Sequence, residues 1–305
     1  GDADGGGGKE GASGPSISAV VRAVAVLSHE RFVEKCPCPP LPASSPCALS
    51  VRPFRQNTFV GGRYLKFNRA ISQSPWMLAT QGEGGEEGEE RKGDSSVEEE
   101  IANRLSPHLG ADQIKFVSAG REDIDVRMLG AGRPFILEVY NARMPMPGRD
   151  ALDAVMRSLA ESEAGVECTA LQGVGKELYC RMKEGEAEKV KAYECVVWLS
   201  RAASPADLEK LHALSDLVVQ QKTPVRVYHR RTTMTRPKVI HELRAEHVPG
   251  NPRYLVLRLR TQAGTYIKEF VHGDMGRTTP SLGSLLGCEA EILQLDVARV
   301  EMDFL

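Results

Sequence analysis

SAGREDIDVRMLGAGRPF, residues 118–135, is the stretch on which the reading of this chain turns. The small-residue turn Ala119-Gly120 delivers Arg121, Glu122, Asp123 and Asp125, and Arg127 and Arg133 follow. Acids interleaved with guanidinium groups suit a site where a carboxylate must stay ionised, as a nucleophile or a base. The flanks set the local fold. Gln113–Ser118 (QIKFVS) reads as a short strand entering the turn. Pro134–Tyr140 (PFILEVY) reads as a second strand, apolar enough to be central.

Working outward, Ser96-Val97-Glu98-Glu99 reads as a capping box. It opens a helix with Val97, Ile101 and Leu105 on one face, and Pro107 is expected to end it. Residues 150–164 read as a helix with Leu152, Val155, Met156 and Leu159 on one face, and 190–199 as a strand. Residues 205–214 are expected to be a helix capped by Ser204. Residues 217–227, 239–248 and 254–260 read as strands, the last alternating cleanly. A helix is expected to begin at Thr265 after Gly264, and strand patterns return over 291–304. Strands and helices mix without a regular βαβ repeat, so the expected class is α+β with a mixed sheet and flanking helices.

Composition bounds the rest. The 305 residues suffice for one large or two modest domains, and the formal net charge is −2. The average hides segregation. Between Glu83 and Glu100 nine acids face only Arg91 and Lys92, whereas Lys222 to Lys238 holds six Lys/Arg and no acid. Residues 1–50 are rich in Gly, Ser, Pro and Ala and read as low-complexity and disordered. Residues 51–81 read as an ordered arm packing on a neighbour, 82–95 as an acidic flexible linker, and 96–305 as the catalytic domain. No apolar run approaches the ~20 residues needed to span a bilayer, and the opening lacks the apolar core of a secretory signal. Without a starting Met the chain reads as a fragment or processed product. Seven cysteines at irregular spacing argue for a reducing compartment. Cys36, Cys38 and Cys47 offer three thiols without a C-x-x-C pair, and incidental cysteines are a better reading than zinc.

Two further stretches carry chemistry. In QQKTPVRVYHRRTTMTRPK (220–238), Lys222, Arg226, Arg230, Arg231, Arg236 and Lys238 can each neutralise a phosphate. Tyr228 and His229 offer flat faces on which an unpaired base could stack, although a core position for Tyr228 remains the plainer alternative. In TQAGTYIKEFVHGDMGR (261–277), Tyr266, Ile267 and Phe270 are expected to face inward and Lys268 to reach a carboxylate. Among the glycine-rich pieces, LGAGRP lacks the third glycine of a dinucleotide loop, and GVGKE lacks the spacing and hydroxyl of a P-loop. Asp123-x-Asp125 could hold a divalent metal, but Arg121 and Arg127 would compete for the carboxylates.

GREDIDVR, QKTPVRVYHRR and QAGTYIKEFVHGDMGR occur in this order. Together with the arm FVGGRYLKFNRAISQSPW (59–76) and the closing stretch 273–297, they resemble the archaeal and eukaryotic tRNA pseudouridine synthases that act on the TΨC arm, the tenth numbered eukaryotic type. The likeness covers about residues 52–305. It implies a pseudouridine synthase fold and an isomerase that extrudes a uridine at position 55 of tRNA, and also position 54, without metal or organic cofactor. It places the catalytic aspartate at Asp123, with Asp125 as rival. It aligns Tyr228 with the base-stacking tyrosine and Lys268 with the basic residue that pairs with the aspartate, and puts Leu285 in the segment forming an apolar wall. Arg121, Arg226, Arg230, Arg231 and Tyr266 are the expected RNA-binding residues. The expected partner is tRNA, the expected state a monomer, and the expected location the nucleus and cytoplasm. The family's N-terminal Cys-x-x-Cys and THUMP-type regions have no counterpart in residues 1–50. The competing readings are a non-catalytic RNA-binding module and a metal-dependent transferase using Glu122, Asp123 and Asp125.

Overall fold

The structure, a computed structural model, describes residues 16–35, 54–81, 87–91, 93–185 and 190–305. The chain divides into two compact units, Gly1–Pro53 and Phe54–Leu305. In the first, where disorder is expected from composition, the described residues form two short helices, α1 (Ile17–Ala25) and α2 (His29–Lys35). Ser16 caps α1 by accepting from the Ala19 N–H, and neither helix buries a residue. Cys36, Cys38 and Cys47 lie outside the described residues.

The second unit is built on one mixed sheet. Its strands are β1 (Thr58–Lys66), β4 (Gln113–Ser118), β5 (Arg127–Tyr140), β6 (Val166–Val174), β7 (Lys191–Leu199), β8 (Ser215–Lys222), β9 (Thr235–Val248), β10 (Asn251–Thr261), β11 (Thr278–Thr279) and β12 (Ala290–Val300). The order is β11-β8-β9-β10-β7-β12-β5-β1-β6, with β4 also paired to β5. A hairpin of β2 (Met77–Gln81) and β3 (Glu87–Arg91) stands apart, so part of the stretch expected to be a linker is a strand. The helices are α3 (Val97–Leu109), α4 (Arg149–Ala160), α5 (Lys176–Gly185), α6 (Pro205–His212), α7 (Ile267–His272) and α8 (Leu282–Leu286). The α+β class and the mixed sheet expected from the sequence hold. Among the described residues no helix is long and apolar enough to cross a membrane.

The sheet has a seam. β12 meets β5 in parallel at Asp296↔Arg127 and Val297↔Met128, whereas the other strand pairs run antiparallel. Asp296 is bound there by Arg127 (Nε 3.0 Å) and by Arg69 (Nη2 2.7 Å). Arg69 Nη1 also donates to the backbone oxygens of Asp125 and Leu295. One carboxylate thus ties the arm, the Asp123 loop and β12 together at the point where the two halves of the sheet join.

Burial follows the sequence periods. Leu255, Leu257 and Leu259 of β10 are buried at every second position, and Val97, Ile101, Leu105 and Leu109 of α3 at every fourth. Each such side chain stabilises the fold by about 1.5–3 kcal/mol. Some boundaries differ from expectation. Pro107 sits inside α3 with its ring exposed, and the helix ends at Gly110 in the left-handed region. The helix expected to run to residue 164 ends at Ala160, and Ser204 caps α6 as expected, in a full capping box with Asp207. The strand expected to reach Val227 stops at Lys222. Pro224 has no N–H to continue the ladder, and the Thr223 hydroxyl turns the chain by donating to Thr232 O. Val225–Arg230 then forms a 3₁₀ turn, so Arg226 leaves the sheet while Lys222 stays on β8 and Arg236 and Lys238 on β9.

Candidate active site

The Asp123 loop rests on buried polar side chains. Gly120 turns the chain at φ 91°, and a Cβ there would lie 2.7 Å from Lys191 Nζ and 3.0 Å from Arg133 Nη1, so only glycine fits. Gln73 Nε2, from the arm, donates to Gly120 O (3.0 Å) and to Tyr64 Oη (2.7 Å). Tyr64 in turn donates to Glu122 (2.9 Å), which is ion-paired with Arg133 Nε (2.9 Å), both side chains 1 % exposed. Burial, then the Glu122 charge, holds the Tyr64 phenol well above its ordinary range, so it remains a donor. Lys66 is fully buried, and its ammonium donates to Ile71 O (2.9 Å), Ile124 O (2.8 Å) and Asp123 O (3.3 Å). Burial pulls this lysine down to about 8, opposed by the charges of Glu122, Asp125 and Asp123.

Above this base the loop points its two aspartates outward. Asp123 is 28 % exposed and accepts from Arg226 Nη1 at 2.8 Å, with Lys268 Nζ 3.6 Å away. Lys268 is closer to Asp125, binding both of its oxygens at 2.9 and 2.8 Å. Against burial, which raises it, the Lys268 hydrogen bond and charge hold Asp125 below the usual carboxylate range. Arg226 has a second anchor. Its Nε and Nη2 donate to Glu269 at 2.7 and 3.3 Å, and the Glu269 side chain is only 3 % exposed. Burial pulls the guanidinium down, but the Glu269 hydrogen bonds and charge prevail and hold it above its ordinary value. The Lys268–Asp123 pairing expected from the sequence is thus the longer contact, and Arg226 is the nearer cation.

A cavity of about 700 Å³ opens beside Asp123. Val126, Val227, Ile267, Leu295 and Val297 line its apolar side, and Tyr193 and Tyr266 supply two aromatic faces. Lysines and arginines dominate the polar side: Arg121, Lys183, Lys191, Arg226, Arg231, Arg236, Lys238 and Lys268 line it, against Glu122 and Asp123. Apolar, aromatic and cationic lining around the half-buried Asp123 carboxylate suits a flat heterocycle with phosphates beside it. No group of three or more His, Cys, Asp or Glu positioned for a metal is found among the described residues.

The sequence-derived site residues divide accordingly. Arg121, Asp123, Arg226, Arg231, Tyr266 and Lys268 line the cavity. Tyr228 does not. It is 40 % exposed on the 3₁₀ turn, where its hydroxyl accepts from Arg277 and the Arg277 guanidinium lies 5.3 Å from its ring centre. Leu285, on α8, packs against the main core and is not among the cavity-lining residues, whereas Leu295 is. The side chain of Arg230 lies outside the described residues. Tyr193 was read only as part of a strand. It lines the cavity from β7, and burial pushes its phenol up to about 12, opposed by the Arg133 charge and helped by the Glu122 and Asp123 charges. Its signal in the sequence is slight: a tyrosine flanked by Lys191 and Glu194 in an otherwise apolar strand. Glu269, Lys66, Tyr64 and Gln73 likewise carry no local signal in the sequence for their contacts here.

Residues 59–301 match the family model described as "Pus10, C-terminal". The human protein named tRNA pseudouridine synthase Pus10 is 41 % identical over 287 residues, 94 % of this chain and 52 % of that protein. The protein of that name from the archaeon Thermofilum pendens is 36 % identical over 249 residues, 80 % of this chain and 52 % of its own length. A crystal structure of a Cbf5–Nop10–Gar1 complex overlaps 76 % of this chain and 61 % of its own at 14 % identity, with a TM-score of 0.38. The chain spans about half the length of the curated relatives it matches. With a family model matched from Phe59 to Glu301, across the whole sheet and the Asp123 cavity, the chain belongs to the Pus10 family.

Proposed function

We propose that this chain carries the uridine-isomerising centre of a tRNA pseudouridine synthase, with Asp123 as its nucleophile. The observation that carries the reading is Asp123 itself: a half-buried carboxylate held by Arg226 at 2.8 Å, with Lys268 at 3.6 Å, on a cavity with aromatic and apolar walls. The relatives named tRNA pseudouridine synthase support the substrate class.

A uridine inside a folded arm hides its glycosidic bond, so it must leave the stack to react. Arg121, Arg231 and Arg236 line the cavity and would hold the displaced backbone phosphates. Tyr193 and Tyr266 receive the extruded base, and Leu295 and Val297 exclude water behind it. Asp123 forms a covalent bond as N1–C1′ breaks. The bonding pair leaves on uracil N1, the detached uracil turns within the cavity, and C5 bonds to C1′ as the aspartate leaves with its pair; C5 then gives up its proton to solvent and N1 takes one up. The Tyr193 phenol, pushed up to about 12, is protonated at neutral pH and serves as a stacking face rather than a resting base. Tyr228, outside the cavity, is left with a role in holding RNA. Asp125, bound on both oxygens by Lys268, orients that lysine.

The proposed target is position 55 of the TΨC arm, with position 54 second. This rests on the family resemblance of the motifs. Incubating the chain with unmodified tRNA transcript and mapping pseudouridine by mass spectrometry tests it. Modification at position 55 is the expected outcome. Binding of the tRNA without any isomerised uridine would favour the non-catalytic module, and modification confined to other positions would refute the target.

A further inference from the structure

Arg226 lies on the 3₁₀ turn Val225–Arg230, far in sequence from both carboxylates it binds. An arginine on such a turn has many rotamers, and holding one of them over Asp123 has an entropic cost. Glu269 meets that cost. It sits on the short helix α7 directly after Lys268, its side chain is 3 % exposed, and it takes Arg226 Nε at 2.7 Å and Nη2 at 3.3 Å. The two-point grip fixes the plane of the guanidinium and leaves Nη1 directed at Asp123 Oδ2, 2.8 Å away. The Tyr266 ring lies 6.0 Å from the same guanidinium. A buried carboxylate tolerates burial only when paired, and this partner reaches it from another element.

We propose that Glu269 is a positioning residue for the reaction: through Arg226 it sets the orientation of the cation that faces Asp123, and it anchors the Val225–Arg230 turn over the cavity. The inference rests on the reading of Asp123 as nucleophile and adds a second carboxylate that never touches substrate. Lys268 and Glu269, adjacent on α7, thereby serve the two aspartates by different routes. Lys268 binds Asp125 directly, and Glu269 reaches Asp123 through an arginine brought from another turn.

The test is a double-mutant cycle on the full chain. Glu269→Gln keeps the shape and should lower kcat roughly 10–100-fold while KM moves less than about threefold, because a displaced group near the chemistry costs rate on this scale. Arg226→Met should lower kcat at least as far. The double variant should be no slower than Arg226→Met alone, since Glu269 then has no arginine to place. A double variant slowed by the product of the two single effects would overturn the proposal. A second arm needs no turnover. The ¹⁵N–¹H signal of Arg226 Nε, donated to Glu269, should be resolved in the ligand-free chain and move in Glu269→Gln while persisting in Asp123→Asn. A signal unmoved by Glu269→Gln overturns the positioning whatever the activity. An inactive wild-type chain with the signal behaving as expected would sink the isomerase reading instead.

Discussion

Replacing Lys66 by Met should separate the stability of the fold from the set of the Asp123 loop. The Lys66 ammonium is fully buried and is pulled down to about 8 from an ordinary value of 10.5. Between these two values the unfolded chain binds the proton and the folded chain does not, so stability rises with pH across this window. The contribution is fully present above 10.5 and lost as pH falls through 8. Worked from the two values, wild type gains about 2 kcal/mol between pH 7 and pH 9.5 from this group alone. Lys66→Met lacks the titration. At pH 7 it also escapes the burial of a charge, while leaving Ile71 O and Ile124 O without their donor, at about 1–3 kcal/mol each. The assay is urea denaturation of both proteins at the two pH values, beside initial rates of pseudouridine formation. Wild type should gain about 2 kcal/mol on the variant from pH 7 to pH 9.5. The variant should turn over at least about tenfold more slowly, because the backbone at Asp123 and Ile124 has lost its anchor. A stability difference that stays flat with pH would refute the buried ammonium, and an unchanged rate would refute its hold on the loop.

Other perturbations probe the same scaffold. Glu122→Gln breaks a buried ion pair with Arg133 and should cost about 3–5 kcal/mol, lowering Tm by roughly 10 °C in a thermal melt. A melt shifted by less than about 2 °C would remove the pair from the account. Tyr193→Ala should slow turnover by more than about 10²-fold, whereas Tyr228→Ala should change mainly tRNA affinity; the reverse pattern in steady-state kinetics would return Tyr228 to the catalytic site. Gly120→Ala meets Lys191 and Arg133 at a φ that disfavours a side chain and should destabilise by about 1–3 kcal/mol in the same denaturation assay; an unchanged midpoint would show that the turn does not need glycine.

Much of the site was legible because its residues announce themselves locally. Asp123 stands out among arginines, and the cations of the 222–238 stripe stand out by charge. Lys268 was visible as a cation on the stretch after Gly264. What was not legible depends on contacts across the fold. Tyr64, Lys66 and Gln73 look like surface residues of an arm until β1 inserts between β5 and β6 and buries them beneath the loop. Tyr193 carries a strand's signature, and only the β7–β12 pairing beside the seam turns its ring into the cavity. Tyr228 looked the better aromatic because charges flank it, yet Pro224 ends the strand before it and the 3₁₀ turn carries it outward. Leu285 and Leu295 are both apolar and near the end of the chain. Their difference is that one lies on a short helix against the core and the other on the strand that borders Asp123.

The most direct test of the central claim is single-turnover release of tritium from [5-³H]uridine-labelled tRNA by wild type, Asp123→Asn and Asp125→Asn, each at saturating protein. With Asp123 as nucleophile, Asp123→Asn falls by more than about 10³-fold with tRNA affinity little changed, and Asp125→Asn retains measurable release through Lys268 and Arg226. Near wild-type release by Asp123→Asn, or loss confined to Asp125→Asn, would contradict it.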